Sequence, residues 1–391
     1  MSVEWQESHL LRDWSTPPPW PIFIFGKWLI TLLRLFLQWI QPPPLTIFDI
    51  QRGGWQTQIM YTVAHLGIAD ELGRKGPQTA EDLAASLGLD SQRLYRLLRS
   101  AVQMGLFSVV RPLEQGGPVR FKNNRLSAVL RADHPTCMRE MVLHQTDHNK
   151  PAWDELPWAV RTGGKAFEKT HNGLSEFEWL KLDPKEEDKF SKAMKQVDSM
   201  GTVAMATDYD WNSHSRIVDI GGAYGSFLAH LLTANRKPRG LLFDQSQVIQ
   251  RAKEKWAEDK HWTTLSHRVE FAAGDFFKPE TMPRAMDGDA YMMRLILHDW
   301  NDKDSIAILS SIRRAIGTAK AKLFIVETTI GEEFDDPLFQ RALLDIHMMV
   351  ALNGAERTVP QWKEMLREAG FAFTRIIPTR SIFNIVEALP A

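Results

Sequence analysis

One cysteine, Cys137, stands in a chain of 391 residues, which excludes an internal disulfide framework and any metal site of the CxxC kind. Charge of one sign is lacking too. The 47 lysines and arginines balance 48 aspartates and glutamates, for a net charge of −1. No global basic field exists to gather nucleic acid or an anionic membrane. Neither a GxGxxG dinucleotide fingerprint nor a GxxxxGK[ST] phosphate loop occurs. What remains is an ordinary folding composition, 44% apolar and 24% charged. The lone thiol suits a reducing compartment, so a cytoplasmic location is expected.

The longest apolar run, "WPIFIFGKWLITLLRLFLQWI" at residues 20 to 40, is long enough to span a bilayer. Lys27, Thr31, Arg34 and Gln38 nevertheless fall on one narrow helical stripe. Prolines 17 to 19 and 42 to 44 bracket the helix and stop it at both ends. Three readings stay open: a helix buried in a subunit interface, a helix lying peripherally in a membrane surface, or a true span. An acidic stretch before it and the lack of a small-residue cleavage site speak against a signal peptide.

From residue 51 to about 130 the pattern reads as helix, turn, helix and hairpin, a winged helix. Thr79 caps one helix with Asp82 three residues on, Asp90 or Ser91 caps the next, and an aliphatic strand covers Leu106 to Val110 before a Gly/Pro turn. Arg93, Arg96 and Arg99 are spaced as a phosphate-contacting face would be, which raises a DNA-binding regulator as a second class. The basic charge stops there, so a solvated face of a dimerisation module is preferred. Residues 131 to 200 read as a helical connector rich in aromatics and methionine. Trp153, Phe167 and Met194 are either core or wall of an acceptor pocket.

Residues 201 to 391 alternate strand and helix, the rhythm of a doubly wound α/β domain with a mostly parallel sheet of seven strands. The strands are expected at 216–220, 240–244, 269–277, 289–297 and 321–328, followed by two closely spaced ones near the C-terminus. Ligands on such sheets bind beyond the carboxyl ends of the strands. Asp219 with Gly221 and Gly222, then Asp244, Asp275 with Phe276, His298 with Asp299, and Glu327 sit at five successive ends. A tight glycine turn, a carboxylate for two ribose hydroxyls and an Asp–Phe pair for an adenine describe a pocket for a nucleoside without phosphates. S-adenosylmethionine, with its cationic sulfonium, fits such surroundings.

The stretches "VDIGGAYGS", "FDQSQV", "AAGDFF", "MRLILHDWNDKD" and "LNGAERTVPQWKEMLREAGF" resemble successive motifs of the plant- and fungal-type small-molecule O-methyltransferases, the group of caffeic acid and acetylserotonin O-methyltransferases. The resemblance spans roughly residues 51 to 391. It implies a Rossmann-like methyltransferase domain, a homodimer formed through the winged helix, and S-adenosylhomocysteine as product. It also implies His298 as general base, with Glu327 and Glu356 flanking and orienting its ring. Such a base suits the chemistry, since a phenol or alcohol accepts a methyl only after losing its proton, and an imidazole titrating near neutrality can take it. No metal is called for, and no metal-ligand spacing is evident.

Three departures from the family pattern stand out. Ala223 replaces a usual glycine, Arg294 stands where a lysine near the adenine is common, and the loop at Asn353 is about one residue short. Met348 and Met349 match positions that sandwich an aromatic acceptor, or are helix-core residues. Methyl transfer to a small aromatic or polyketide-like hydroxyl is the leading expectation. Transfer to sulfur or nitrogen, and a non-methylating enzyme on the same fold, are the alternatives.

Overall fold

The computed structural model describes residues 17–110, 117–199, 201–331, 340–352 and 354–391. Asn353 and most of the expected Gly/Pro turn after Val110 lie outside them. Two compact units result, one of Leu33–Ser199 and one of Met200–Ala391 with the chain up to Leu32. Helix α1, Trp20–Ile40, has no buried residue and is long and apolar enough to cross a membrane.

The unit Leu33–Ser199 is helical apart from one hairpin. Its helices are α2 (Pro43–His65), α3 (Ile68–Lys75), α4 (Ala80–Leu87), α5 (Ser91–Gln103), α6 (Arg125–Ala128), α7 (Arg139–Thr146), α8 (Asn149–Asp154), α9 (Leu156–Thr162), α10 (Ala166–Thr170), α11 (Glu176–Leu180) and α12 (Pro184–Ser199). Capping chemistry sets the boundaries of the winged helix. Thr79 Oγ1 accepts the Asp82 N–H at 3.1 Å, and Asp90 Oδ1 accepts the Arg93 N–H at 2.8 Å. On α5, Leu94 and Leu98 are buried while Arg93, Arg96 and Arg99 are exposed, an ordinary amphipathic helix. Each such leucine contributes roughly 2 kcal/mol by leaving water. Strand β1 (Phe107–Val110) begins one residue later than expected and pairs antiparallel with β2 (Arg120–Asn123).

The other unit is built on β3 (Arg216–Ile220), β4 (Arg239–Asp244), β5 (Val269–Ala273), β6 (Asp289–Arg294), β7 (Lys322–Glu327), β8 (Thr329–Ile330), β9 (Arg357–Thr358), β10 (Phe371–Pro378) and β11 (Asn384–Pro390). Seven of these form one sheet in the order β10-β11-β7-β6-β3-β4-β5, mixed because β11 runs antiparallel to both neighbours. Helices α13 (Thr202–Thr207), α14 (Ser226–Ala234), α15 (Ser246–Glu258), α16 (Lys260–Leu265), α17 (Asp302–Ile316), α18 (Arg341–Ala351) and α19 (Val359–Glu368) connect them. Val218, Ile220, Tyr291, Met293, Leu323 and Ile325 pack with Ile308, Ile312 and Trp362 in one buried core. Parallel strands buried on both faces read as continuous apolar runs, which is why β3, β6 and β7 were legible.

Two expected strands are too long. The third ends at Ala273 instead of 277, and the fourth at Arg294 instead of 297. Leu295 turns to φ +54°, and a 3-10 turn occupies Leu297–Asp299. The chain therefore leaves the sheet before it reaches the histidine.

Candidate active site

The carboxyl ends of the central strands are in register, with Ile220 beside Phe243 and Met293, and Arg294 beside Val326. The groups beyond them share one end of the sheet. After β3 the chain turns through Gly221 at φ +71° and Ala223 at φ +50°. The left-handed region costs an alanine about 1 kcal/mol, so the methyl of Ala223 is held under strain. A β-carbon on Gly222 would stand 2.4 Å from Asp219 Oδ2 and 2.5 Å from Leu242 Cδ1, so this turn has no room for a side chain.

Asp244 ends β4 and holds that turn. Its Oδ2 accepts the Ala223 N–H at 2.9 Å and its Oδ1 the Gln245 N–H at 2.7 Å. Burial pushes its carboxyl pKa up, partly offset by those two donors. Asp244 borders a cavity of about 490 Å³ whose walls include Gln245, Asp275, Phe276, Phe277 and Trp300. Asp275 Oδ1 accepts the Phe277 N–H at 2.9 Å, and Trp300 stands edge-on to Phe276 and Phe277. Two carboxylates, aromatic walls and Lys278 as the one basic lining residue suit a nucleoside without phosphates. The residues fit the adenosyl part of S-adenosylmethionine.

Arg294 is not among those lining residues. Its guanidinium lies 4.8 Å from the ring centroid of Phe227, at the start of α14.

His298 lies in the 3-10 turn with its side chain 12% exposed. Its Nδ1 is 2.8 Å from Glu356 Oε1, and its Nε2 is 3.4 Å from Asp299 Oδ1. Glu327 acts differently from the expectation that it flanks the ring. Its Oε1 accepts the backbone N–H groups of Ile296, Leu297 and His298 at 3.2, 2.6 and 3.2 Å. A buried carboxylate thus fixes the turn itself. Asp299 faces the imidazole, and Asn301 caps α17 by accepting the Asp304 N–H.

Electrostatics follow from this crowding. Burial opposes a charge on His298, but Asp299, Glu356 and Glu327 outweigh it and push its pKa up to about 10. The expectation of a ring titrating near neutrality is corrected accordingly. Burial likewise pushes Glu327 up to about 7, the His298 charge pulling against it and Glu356 adding repulsion.

Met348, buried, and Met349, half-buried, lie on α18. In the helical unit, Phe167 is buried with its ring stacked on His171 at 3.8 Å and edge-on to Trp179, a packed core position. Trp153 and Met194 of that unit are half-buried.

Sequence reasoning missed two arrangements. Arg357, 1% exposed, donates to the carbonyls of Leu297 and Trp300 at 2.7 and 2.8 Å and to Ser305 Oγ at 3.1 Å. It staples the turn that carries His298, and only its place next to Glu356 in sequence hinted at that. In the helical unit, His144, His148 and Glu176 bring donor atoms within 4.8 Å of one another. The spacing His-x-x-x-His in "HQTDH" was the available signal.

Comparison with known proteins fits this geometry. The model of an O-methyltransferase domain matches residues 153–372, and that of an O-methyltransferase dimerisation domain matches 48–133. The chain is 36% identical over 338 residues to a phenazine O-methyltransferase of Lysobacter antibioticus, covering 86% of this chain and 94% of that protein. It is 34% identical over 332 residues to the 8-amino-8-demethylriboflavin N,N-dimethyltransferase of Streptomyces davaonensis, covering 84% and 90%. The solved structure of NcsB1, an O-methyltransferase of neocarzinostatin biosynthesis in complex with S-adenosylmethionine and 2-hydroxy-5-methyl naphthoic acid, superposes with a TM-score of 0.67. That pair is 27% identical, with 86% of this chain and 96% of that one covered. The chain belongs to the O-methyltransferase family, as an S-adenosylmethionine-dependent methyltransferase of α/β methyltransferase fold with an N-terminal dimerisation domain.

Proposed function

We propose that this enzyme methylates a hydroxyl of a small aromatic or polyketide-like acceptor, with His298 as general base. The observation that carries the reading is the 2.8 Å contact between His298 Nδ1 and Glu356 Oε1. A carboxylate on Nδ1 keeps that nitrogen protonated and leaves Nε2 to receive the acceptor's proton. When bound, S-adenosylmethionine supplies an electrophilic methyl on its sulfonium. The chain's own work is to take the hydroxyl proton on Nε2, hold the resulting imidazolium between Asp299 and Glu356, and keep the turn rigid through Glu327 and Arg357. Asp244 and the Asp275–Phe276 corner serve the ribose and adenine, and Asp219, Gly221 and Gly222 are assigned to the cofactor through the turn that Asp244 holds. Met348 and Met349 on α18 are assigned to the acceptor.

The base favours oxygen over nitrogen or sulfur. A hydroxyl must shed a proton to become a good nucleophile, whereas a neutral amine or thioether attacks without one. The match to a dimerisation domain supports a homodimer. The test is a labelled-methyl transfer assay over phenols, amines and thioethers with wild type and His298→Gln. Loss of phenol methylation in His298→Gln, with S-adenosylhomocysteine affinity unchanged, is expected. Full activity in that variant overturns the base assignment.

A further inference from the structure

The unit Leu33–Ser199 holds a buried polar cluster that the reading above leaves unassigned. His144 on α7, His148 just before α8 and Glu176 at the start of α11 are 2%, 7% and 3% exposed. Glu176 Oε1 is 3.0 Å from His148 Nε2 and 3.8 Å from His144 Nε2. The two imidazoles, four residues apart, have ring centroids 4.7 Å apart. Trp179 packs on His148 and Phe190 edge-on to His144, so the three donors converge inside an apolar wall.

A second carboxylate lies close by. Glu186 Oε2 stands 3.8 Å from His148 Nδ1, and Lys189 fixes it from 2.8 Å. His148 Nδ1 is buried without a hydrogen-bond partner among the described residues, so the ring can carry its proton on either nitrogen. With the proton on Nδ1, two lone pairs, on Nε2 and on the carboxylate oxygen, face each other across 3.0 Å. That arrangement calls for a cation between them, either a proton or a metal ion. Asn149 adds a further observation. Its Nδ2 is 3.3 Å from the same Glu176 oxygen, while its Oδ1 is buried with no hydrogen-bond partner among the described residues. A half-turn of the amide delivers that oxygen to the same point.

We infer that His144, His148 and Glu176 bind a divalent first-row transition ion, with Asn149 as fourth donor and Glu186 orienting His148. Two imidazole nitrogens with a carboxylate and an amide oxygen suit Zn²⁺ and its neighbours, whereas Mg²⁺ and Ca²⁺ take all-oxygen shells. The ion ties the α7–α8 turn to α11 as a clip within the helical unit.

The test uses full-length, tag-free protein stripped with a chelator and titrated with Zn²⁺ or Co²⁺ alone. One ion per chain, the visible absorption of Co²⁺ in an N/O site and a Zn²⁺-dependent rise in Tm are expected. His148→Asn and Glu176→Gln lose all three, and Glu186→Gln weakens affinity about 10- to 100-fold. X-ray absorption of the Zn²⁺-loaded wild type reads the imidazoles directly, so the outcome does not hang on the variants folding. A wild type that binds no ion, a metal shell without imidazole scattering, or undiminished binding in folded variants overturns the site and leaves a proton-bridged trio.

Discussion

A β-carbon on Gly354 would stand 1.9 Å from the carbonyl oxygen of His298, which accepts the Ala355 N–H at 3.0 Å. Two backbones pack here with no space for a methyl, and that closeness brings Glu356 up to the imidazole. Gly354→Ala is therefore expected to push the segment carrying Glu356 away from the ring. Since both partners are backbone, no rotamer relieves the clash. A fall in kcat of about 100-fold is expected. Calorimetry should find S-adenosylhomocysteine binding nearly unchanged, and wild-type turnover would contradict the packing argument.

The pH dependence has a definite sign. His298 has a folded pKa of about 10 against an ordinary 6.5, with burial opposing the charge and Asp299, Glu356 and Glu327 overriding it. Its stabilising contribution is complete below pH 6.5 and is lost as pH rises through about 10. The neutral ring, the proposed base, grows over the same window, so kcat/KM of wild type should climb with pH. Glu356→Gln removes one anion, moves that climb to lower pH and lowers the plateau about 100-fold. A rate–pH profile with an unmoved midpoint would count against the pair.

Arg357 is expected to tolerate no other cation. Its planar fork reaches the Leu297 and Trp300 carbonyls and Ser305 at once, and a lysine ammonium cannot. Arg357→Lys should cost about 3 kcal/mol in denaturant unfolding by stranding buried acceptors. Because Arg357 secures the turn, kcat should fall more than S-adenosylhomocysteine affinity does. An unchanged unfolding midpoint would remove it from that role.

For Asp244, replacement by alanine should weaken S-adenosylhomocysteine about 10- to 100-fold, the worth of one charge-assisted hydrogen-bonding group. The Ala223 and Gln245 N–H groups lose their acceptor as well, so the glycine turn should loosen. Titration calorimetry that finds wild-type affinity would take Asp244 out of the nucleoside site.

Legibility in the sequence followed burial. β3 matched its expected bounds because "RIVDI" is buried throughout and flanked by turns. β6 was overextended because "LIL" reads as strand until Leu295 turns left-handed, an event set by Glu327 thirty-odd residues away. The identities of His298, Glu327 and Glu356 could be carried over from a resemblance, but not the division of labour between the two glutamates. That division depends on which backbone each carboxylate meets. Arg357 and the His144–Glu176 cluster stayed hidden for a similar reason, since their partners come from distant segments brought together only by packing.

The short parallel pair β8–β9 sets Thr329 beside Arg357 and Ile330 beside Thr358, joining the segments that carry Glu327 and Glu356. Side chains of α18, between those two strands, can therefore change with less leverage on the proton-handling geometry than Gly354 and Glu356 have, and Met348 and Met349 ride on that helix. On the proposed assignments, acceptor preference and base chemistry are in this way separately adjustable, and relatives of one architecture can diverge in what they methylate without rebuilding how they do it.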